Sequence, residues 1–151
     1  MRDPARILVI RRRAIGDVLV SVDVLRALRE RWPAAHVDFV VDRTAADMVR
    51  GSGLIDELLV YDRRVFSTGS LWSRARATFE WLSSLRRRQP DLVLDLLGTP
   101  QTALWTAWTG AAVRVGPRRR NRTWAYNRLV EAEEQVRFAG ERFLDWVRIL
   151  D

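Results

Sequence analysis

The residues best placed by type and spacing to do chemistry fall in one short stretch, Arg11-Arg12-Arg13-Ala14-Ile15-Gly16-Asp17. An apolar run, Ile7 to Ile10, leads into it, and a segment of helical period leaves it. Asp17 is therefore expected at a helix start, where a carboxylate stabilises the helix by about 1 kcal/mol as a cap or through the dipole. The helix N-terminus and the nearby arginines also favour the ionised form, so at neutral pH Asp17 can accept a proton. It would be a weak base, suited to a hydroxyl that becomes acidic only as it attacks. Capping and base catalysis are compatible, and the local sequence leaves both open.

The second chemical feature is arginine. All 26 basic residues are arginines and the formal charge is +7. Clusters stand at Arg11 to Arg13, Arg86 to Arg88 and Arg118 to Arg120, with a further pair at Arg63 and Arg64. Guanidinium groups bind oxyanions bidentately and stay charged. The partners this charge points to are a phosphorylated glycolipid, an anionic membrane surface or nucleic acid; the alternative is an ordinary solvated surface. Arg86 to Arg88 fall at a helix C-terminus, where cations offset the dipole.

Several chemistries are excluded or disfavoured. The loop before Asp17 has one glycine, so it lacks the Gly-x-Gly-x-x-Gly needed to approach a dinucleotide pyrophosphate. With no lysine in the chain, the phosphate-loop pattern ending in Gly-Lys is absent too. No cysteine and a single histidine leave no thiol chemistry and make a zinc site improbable; His36 is assigned no function. No cofactor is expected. The N-terminal apolar run is too short for a signal-peptide core or a membrane span, so a cytoplasmic location is expected.

The elements that must position Asp17 and the arginines alternate along residues 1–151, which read as one domain with 48% hydrophobic residues and seven tryptophans. Strands are predicted at Arg6–Ile10, His36–Val41, Leu58–Tyr61, Asp91–Leu96 and Ala112–Val115. Helices are predicted from about Asp17 to Trp32-Pro33, with Val18, Val22, Leu25 and Leu28 inward, and over Thr44–Arg50, capped by Thr44 and stopped by Gly51 and Gly53. Others are expected over Leu71–Arg88, with Leu71, Ala75, Phe79, Leu82 and Leu85 on one core face, from about Pro100 to Trp108, and over roughly Gly140–Leu150. Strands that are apolar throughout, alternating with helices, define an α/β fold: a Rossmann-like parallel sheet with helices on both faces. In such sheets the ligand crevice lies beyond the C-terminal strand ends. That rule places the Asp17 loop, Arg63-Arg64 and Arg118 to Arg120 at one edge. Most of the tryptophans lie in helical segments and are expected to pack in the core or between helices.

The ordered set Ile7-Leu8-Val9-Ile10-Arg11, Ile15-Gly16-Asp17-Val18, Leu25-Arg26-Ala27-Leu28-Arg29 and Trp32-Pro33 resembles the opening of the bacterial heptosyltransferases of glycosyltransferase family 9. The similarity continues through Val37-Asp38-Phe39-Val40-Val41, Ile55-Asp56-Glu57-Leu58, Asp91-Leu92-Val93-Leu94-Asp95-Leu96 with Gly98, Gly110-Ala111, Arg114-Val115-Gly116 and Tyr126-Asn127. The resemblance implies the N-terminal, acceptor-side half of a two-domain GT-B enzyme. It makes Asp17 the general base for inverting, metal-independent transfer of a heptose from an ADP-heptose-like donor to a lipopolysaccharide-core acceptor. It further implies an anionic acceptor met by Arg13, Gly16, Arg63, Arg64 and Arg118 to Arg120, contact with the inner membrane surface, and a donor held chiefly by a C-terminal domain that these residues do not include. The isolated chain is then expected to be inactive. Arg13, Ala14, Asp23 and Leu97 depart from the family pattern, which bears on donor and acceptor identity rather than on the fold. The competing readings are a non-catalytic Rossmann-like interaction domain and a basic nucleic-acid-binding module.

Overall fold

The computed structural model describes residues 3–12, 15–118, 121–130 and 149–150, with the backbone alone over 15–20. Strand β1 (Arg6–Ile10) is followed by helix α1 (Ile15–Arg31), β2 (His36–Asp42), a 3-10 turn (Arg43–Ala45) and helix α2 (Ala46–Val49). Then come β3 (Glu57–Tyr61), α3 (Arg63–Ser67), α4 (Leu71–Arg87), β4 (Leu92–Asp95), α5 (Pro100–Thr109), β5 (Val113–Pro117), a second 3-10 turn (Thr123–Ala125) and β6 (Arg128–Val130). The six strands form one sheet in the order β3-β2-β1-β4-β5-β6, parallel at every pairing. This is the Rossmann strand order, and it reverses direction between β1 and β4.

Alternation along each strand divides the core in two, as a side-chain period of two requires. Ile7 and Val9 of β1 join Val37, Phe39 and Val41 of β2 on the face covered by α1 and α2, where Val24, Leu25, Leu28 and Val49 are buried. Leu8 and Ile10 join Val40 and Val93 on the opposite face, covered by Leu82 and Leu85 of α4 and Trp105 of α5. The central strand β1 is buried on both faces, which is why it reads as an unbroken apolar run.

The element boundaries have local causes. Helix α1 ends as Trp32 folds its N–H back to the Leu28 carbonyl (2.8 Å) ahead of Pro33. Helix α5 starts in a reciprocal capping box between Thr99 and Thr102, with Pro100 in its first turn, and stops at Gly110, whose φ of 73° suits the left-handed cap.

Five sequence expectations change. In α1 Val24 is buried where Val22 is only half-buried, and the side chain of Val18 lies outside the described residues. Thr44 lies inside a 3-10 turn and caps nothing; the turn's N-cap is Asp42. Helix α3 and strand β6 were not expected: α3 is five residues long and mostly exposed, and β6 is only three residues long. Of the predicted core face of α4 only Leu82 and Leu85 are buried, while Leu71, Ala75 and Phe79 are exposed. Among the tryptophans, Trp105 is buried, but Trp72, Trp108 and Trp124 are exposed rather than packed. The helix predicted over Gly140–Leu150 lies outside the described residues except at its end, where Leu150 is buried against the α1 side of the core.

Candidate functional site at the switch point

The direction reversal between β1 and β4 parts the chain that leaves β1 for α1 on one face from the chain that leaves β4 for α5 on the other. The mouth between them is the crevice that this topology provides. Gly16 and Asp17 occupy the first turn of α1 at this mouth. The Asp17 side chain and all of Arg13 lie outside the described residues, as do Arg119 and Arg120. Arg63 and Arg64 are the first two residues of α3 at the end of β3, both exposed. Arg118, also exposed, follows β5, and its N–H donates to the Val130 carbonyl (2.8 Å). The structure thus sets Gly16, Asp17, Arg63, Arg64 and Arg118 along one edge of the sheet.

The two arginines before Arg13 do not belong to a solvated cluster. Arg12 is buried. Its guanidinium lies 4.5 Å from the Tyr61 ring centre and 5.4 Å from that of Trp105. Its Nε donates to Asp42 (3.1 Å) and its Nη1 to Gln101, while the Gln101 amide donates to the Tyr61 hydroxyl (3.0 Å). One side chain so ties the ends of β1, β2 and β3 to helix α5. Arg11, also buried, donates to the Leu96 carbonyl and links the two loops of the crevice. These arginines brace the loop that presents Asp17. The partners of their side-chain hydrogen bonds lie 30 to 89 residues away along the chain, so no local pattern could have revealed them.

Asp95, at the end of β4, braces the other wall. It is fully buried and accepts from the N–H groups of Leu97 (3.1 Å) and Gly98 (2.9 Å) and from the Tyr126 hydroxyl (2.7 Å). Burial pushes its carboxyl above the ordinary aspartate range, and these donors pull the other way without cancelling it. Arg122 donates to the Gly98 carbonyl (2.8 Å) and fixes the same turn. The Tyr126 ring passes so close to β5 that a Cβ on Gly116 would meet its carbons at 2.3–2.4 Å. A charged residue closing an apolar strand just before a glycine, Asp95-Leu96-Leu97-Gly98, is the signal that could have identified this carboxylate from sequence.

Arg88 likewise is not a loose helix-end cation. It makes two 2.6 Å contacts with Glu57 and one of 3.2 Å with the buried Asp38. These contacts raise the Arg88 pKa and hold the Glu57 carboxyl below its usual range. Nor is His36 without a partner: its Nε2 lies 3.0 Å from Asp38. His36, Asp38 and Glu57 bring ligand-type atoms within 4.8 Å of one another. Arg6 and Arg88 already pair with those carboxylates, at the sheet edge opposite the crevice. Between α2 and the end of β3 a hollow of about 370 Å³ is lined by Arg43, Ala46, Asp47, Arg50, Val60 and Asp62.

Strand order, parallel pairing and a crevice at the switch point beyond β1 and β4 define a Rossmann-like α/β domain. No protein-family model and no curated protein matches the sequence. Among solved structures, the chain is similar to a glycosyltransferase family 9 protein from Veillonella parvula (TM-score 0.81, 20% identity, 97% of this chain and 41% of that one). It is also similar to E. coli heptosyltransferase WaaC, solved with ADP-2-deoxy-2-fluoro heptose (0.78, 22%, 93% and 46%). A third is the E. coli ADP-heptose lps heptosyltransferase II (0.77, 20%, 93% and 39%). The heptosyltransferase resemblance read in the sequence therefore holds in three dimensions for the fold, and the chain spans less than half the length of these proteins.

Proposed function

We propose that the chain is the acceptor-side half of a glycosyltransferase of the heptosyltransferase kind. In this reading the Asp17 carboxylate takes the proton from an acceptor sugar hydroxyl as that oxygen attacks the anomeric carbon of an ADP-linked heptose. The bond to ADP breaks on the opposite face, inverting the centre. Gly16 lies beside the incoming hydroxyl. Arg13, Arg63, Arg64 and Arg118 to Arg120 meet the phosphates and carboxylates of a lipopolysaccharide-core acceptor at the cytoplasmic face of the inner membrane. Charge-assisted contacts of this type are about twice as strong as neutral ones. The nucleotide-sugar is held chiefly by a second, C-terminal Rossmann-like domain, and no resident cofactor is required.

The observation that carries the reading is positional. The fold follows heptosyltransferase structures over 93–97% of the chain, and its switch point coincides with the Ile15-Gly16-Asp17 turn. The test is a transfer assay with ADP-heptose and a deacylated core acceptor. The chain alone should give no appreciable turnover. Joined to a donor-binding half it should transfer heptose. Brisk turnover by the chain alone, or none from the joined protein with both substrates bound, would overturn the proposal.

A further inference from the structure

Helix α2 is too short to roof the edge of the sheet. Its four residues, Ala46–Val49, span about 6 Å, and the chain then turns through Gly51 and Gly53 to enter β3 at Glu57. Val60 is left uncovered. It pairs in register with Val41, which is buried on the face covered by α1 and α2, so Val60 points to that face too, yet it is 36% exposed. The result is the hollow of about 370 Å³, with Val60 and Ala46 as its apolar lining and Arg43, Asp47, Arg50 and Asp62 as its polar one. That volume lies in the range small ligands fill.

Position ties the hollow to the crevice. Arg43 directly follows β2 and Asp62 directly follows β3, so it lies at the C-terminal strand ends, on the face of the sheet that also carries α1. Strand β3 stands two places from β1, about 10 Å at the usual strand spacing. Asp62 also accepts the Arg64 N–H (3.0 Å) and so caps the helix that presents Arg63 and Arg64.

The ligand class follows from the charge of the lining. In a chain of net charge +7, this hollow carries two guanidiniums and two carboxylates, which cancel. Arg43 donates to Asp62 (3.0 Å), and Arg50 stands 3.7 Å from Asp47. A phosphate here would meet both carboxylates, and an ammonium both guanidiniums. A sugar ring meets neither penalty: its hydroxyls donate to the carboxylates and accept from the guanidiniums, while its C–H face rests on Val60. Exposed ion pairs of this kind are weak, so hydroxyls can enter between the partners at small cost. We infer that the hollow is a sugar-binding subsite, which takes an uncharged ring of an oligosaccharide whose anionic groups lie against Arg63 and Arg64. Only the identity of that oligosaccharide as the acceptor rests on the proposed function. Its distance from the Asp17 turn then means that the acceptor continues for at least one sugar beyond the ring that attacks.

The test is an amide NMR titration of the chain with a dephosphorylated, deacylated core oligosaccharide and, separately, with inorganic phosphate. The oligosaccharide should shift the amides of Arg43, Asp47, Arg50, Val60 and Asp62, and phosphate should leave those of Asp47 and Val60 in place. Val60→Trp, which fills the hollow, should weaken oligosaccharide binding roughly tenfold or more, the effect of losing a few hydrogen bonds. Arg43→Ala/Arg50→Ala removes donors at two exposed side chains; it should weaken binding as much, with an unchanged circular dichroism spectrum, and keeps the test decisive if tryptophan disturbs β3. Amides unmoved at millimolar oligosaccharide, the same amides shifted by phosphate, or an affinity indifferent to both changes would each overturn the inference. Turnover enters none of these readouts, so failure of this subsite and failure of the transfer assay are separate results.

Discussion

Replacing Gly116 with alanine should unlock one wall of the crevice. Gly116 lies in β5, and the atoms nearest to a Cβ placed on it are carbons of the Tyr126 ring, at 2.3–2.4 Å. Side chains do not tolerate such contacts, so the ring must withdraw, and its hydroxyl loses the 2.7 Å bond to buried Asp95. Overpacking costs about 1–3 kcal/mol, and a lost hydrogen bond to a charged group about 1.5–3 kcal/mol. Together they predict a destabilisation of roughly 2.5–6 kcal/mol, a large part of the ~5–15 kcal/mol available to a domain. Urea unfolding of Gly116→Ala, Tyr126→Ala and the double variant should reveal the mechanism. With the ring already gone, Gly116→Ala should cost less than about 1 kcal/mol, leaving a coupling of a few kcal/mol. Additive losses would refute the clash.

Two further predictions concern the braces. Arg12→Ala should destabilise the chain by roughly 3–5 kcal/mol, since it leaves Asp42 unpaired and opens the space between Tyr61 and Trp105; Arg12→Met, which keeps that packing, should cost about half as much in the same urea titration. Asp95 has a carboxyl pKa raised by burial, so between the ordinary value near 4 and its folded value the native state holds more protons than the unfolded one. Its contribution to stability therefore declines as pH rises through that window. The urea midpoint of Asp95→Asn should improve relative to the parent from pH 4 to pH 7, and a pH-independent difference would exclude that contribution. Glu57, held low by Arg88, acts with the opposite sign: its stabilisation is present above about pH 4 and is lost on acidification.

The sheet was legible because four-to-six-residue apolar runs alternate with helical periods, and a strand such as β1 buried on both faces has no other reading. What escaped had physical reasons. β6 is three residues long with an exposed arginine at its start, too short for alternation to register. The period of α4 correctly marked an apolar stripe, but a stripe does not say how far the sheet beneath it extends. Its N-terminal half therefore read as core when it is surface. Arg11 and Arg12 looked like part of a basic loop, because burial of a guanidinium depends on distant partners such as Asp42 and Gln101. The edge that carries Asp17, Arg63, Arg64 and Arg118 was legible, since parallel topology alone puts those loops together.

The most direct test of the proposed chemistry is Asp17→Asn in the chain joined to a donor-binding half. Asparagine caps a helix about as well as aspartate, so a purely structural Asp17 would leave both melting temperature and transfer rate nearly unchanged. A general base predicts a native melting temperature with transfer reduced roughly 10²–10⁴-fold. Transfer within a few-fold of the parent would contradict the account.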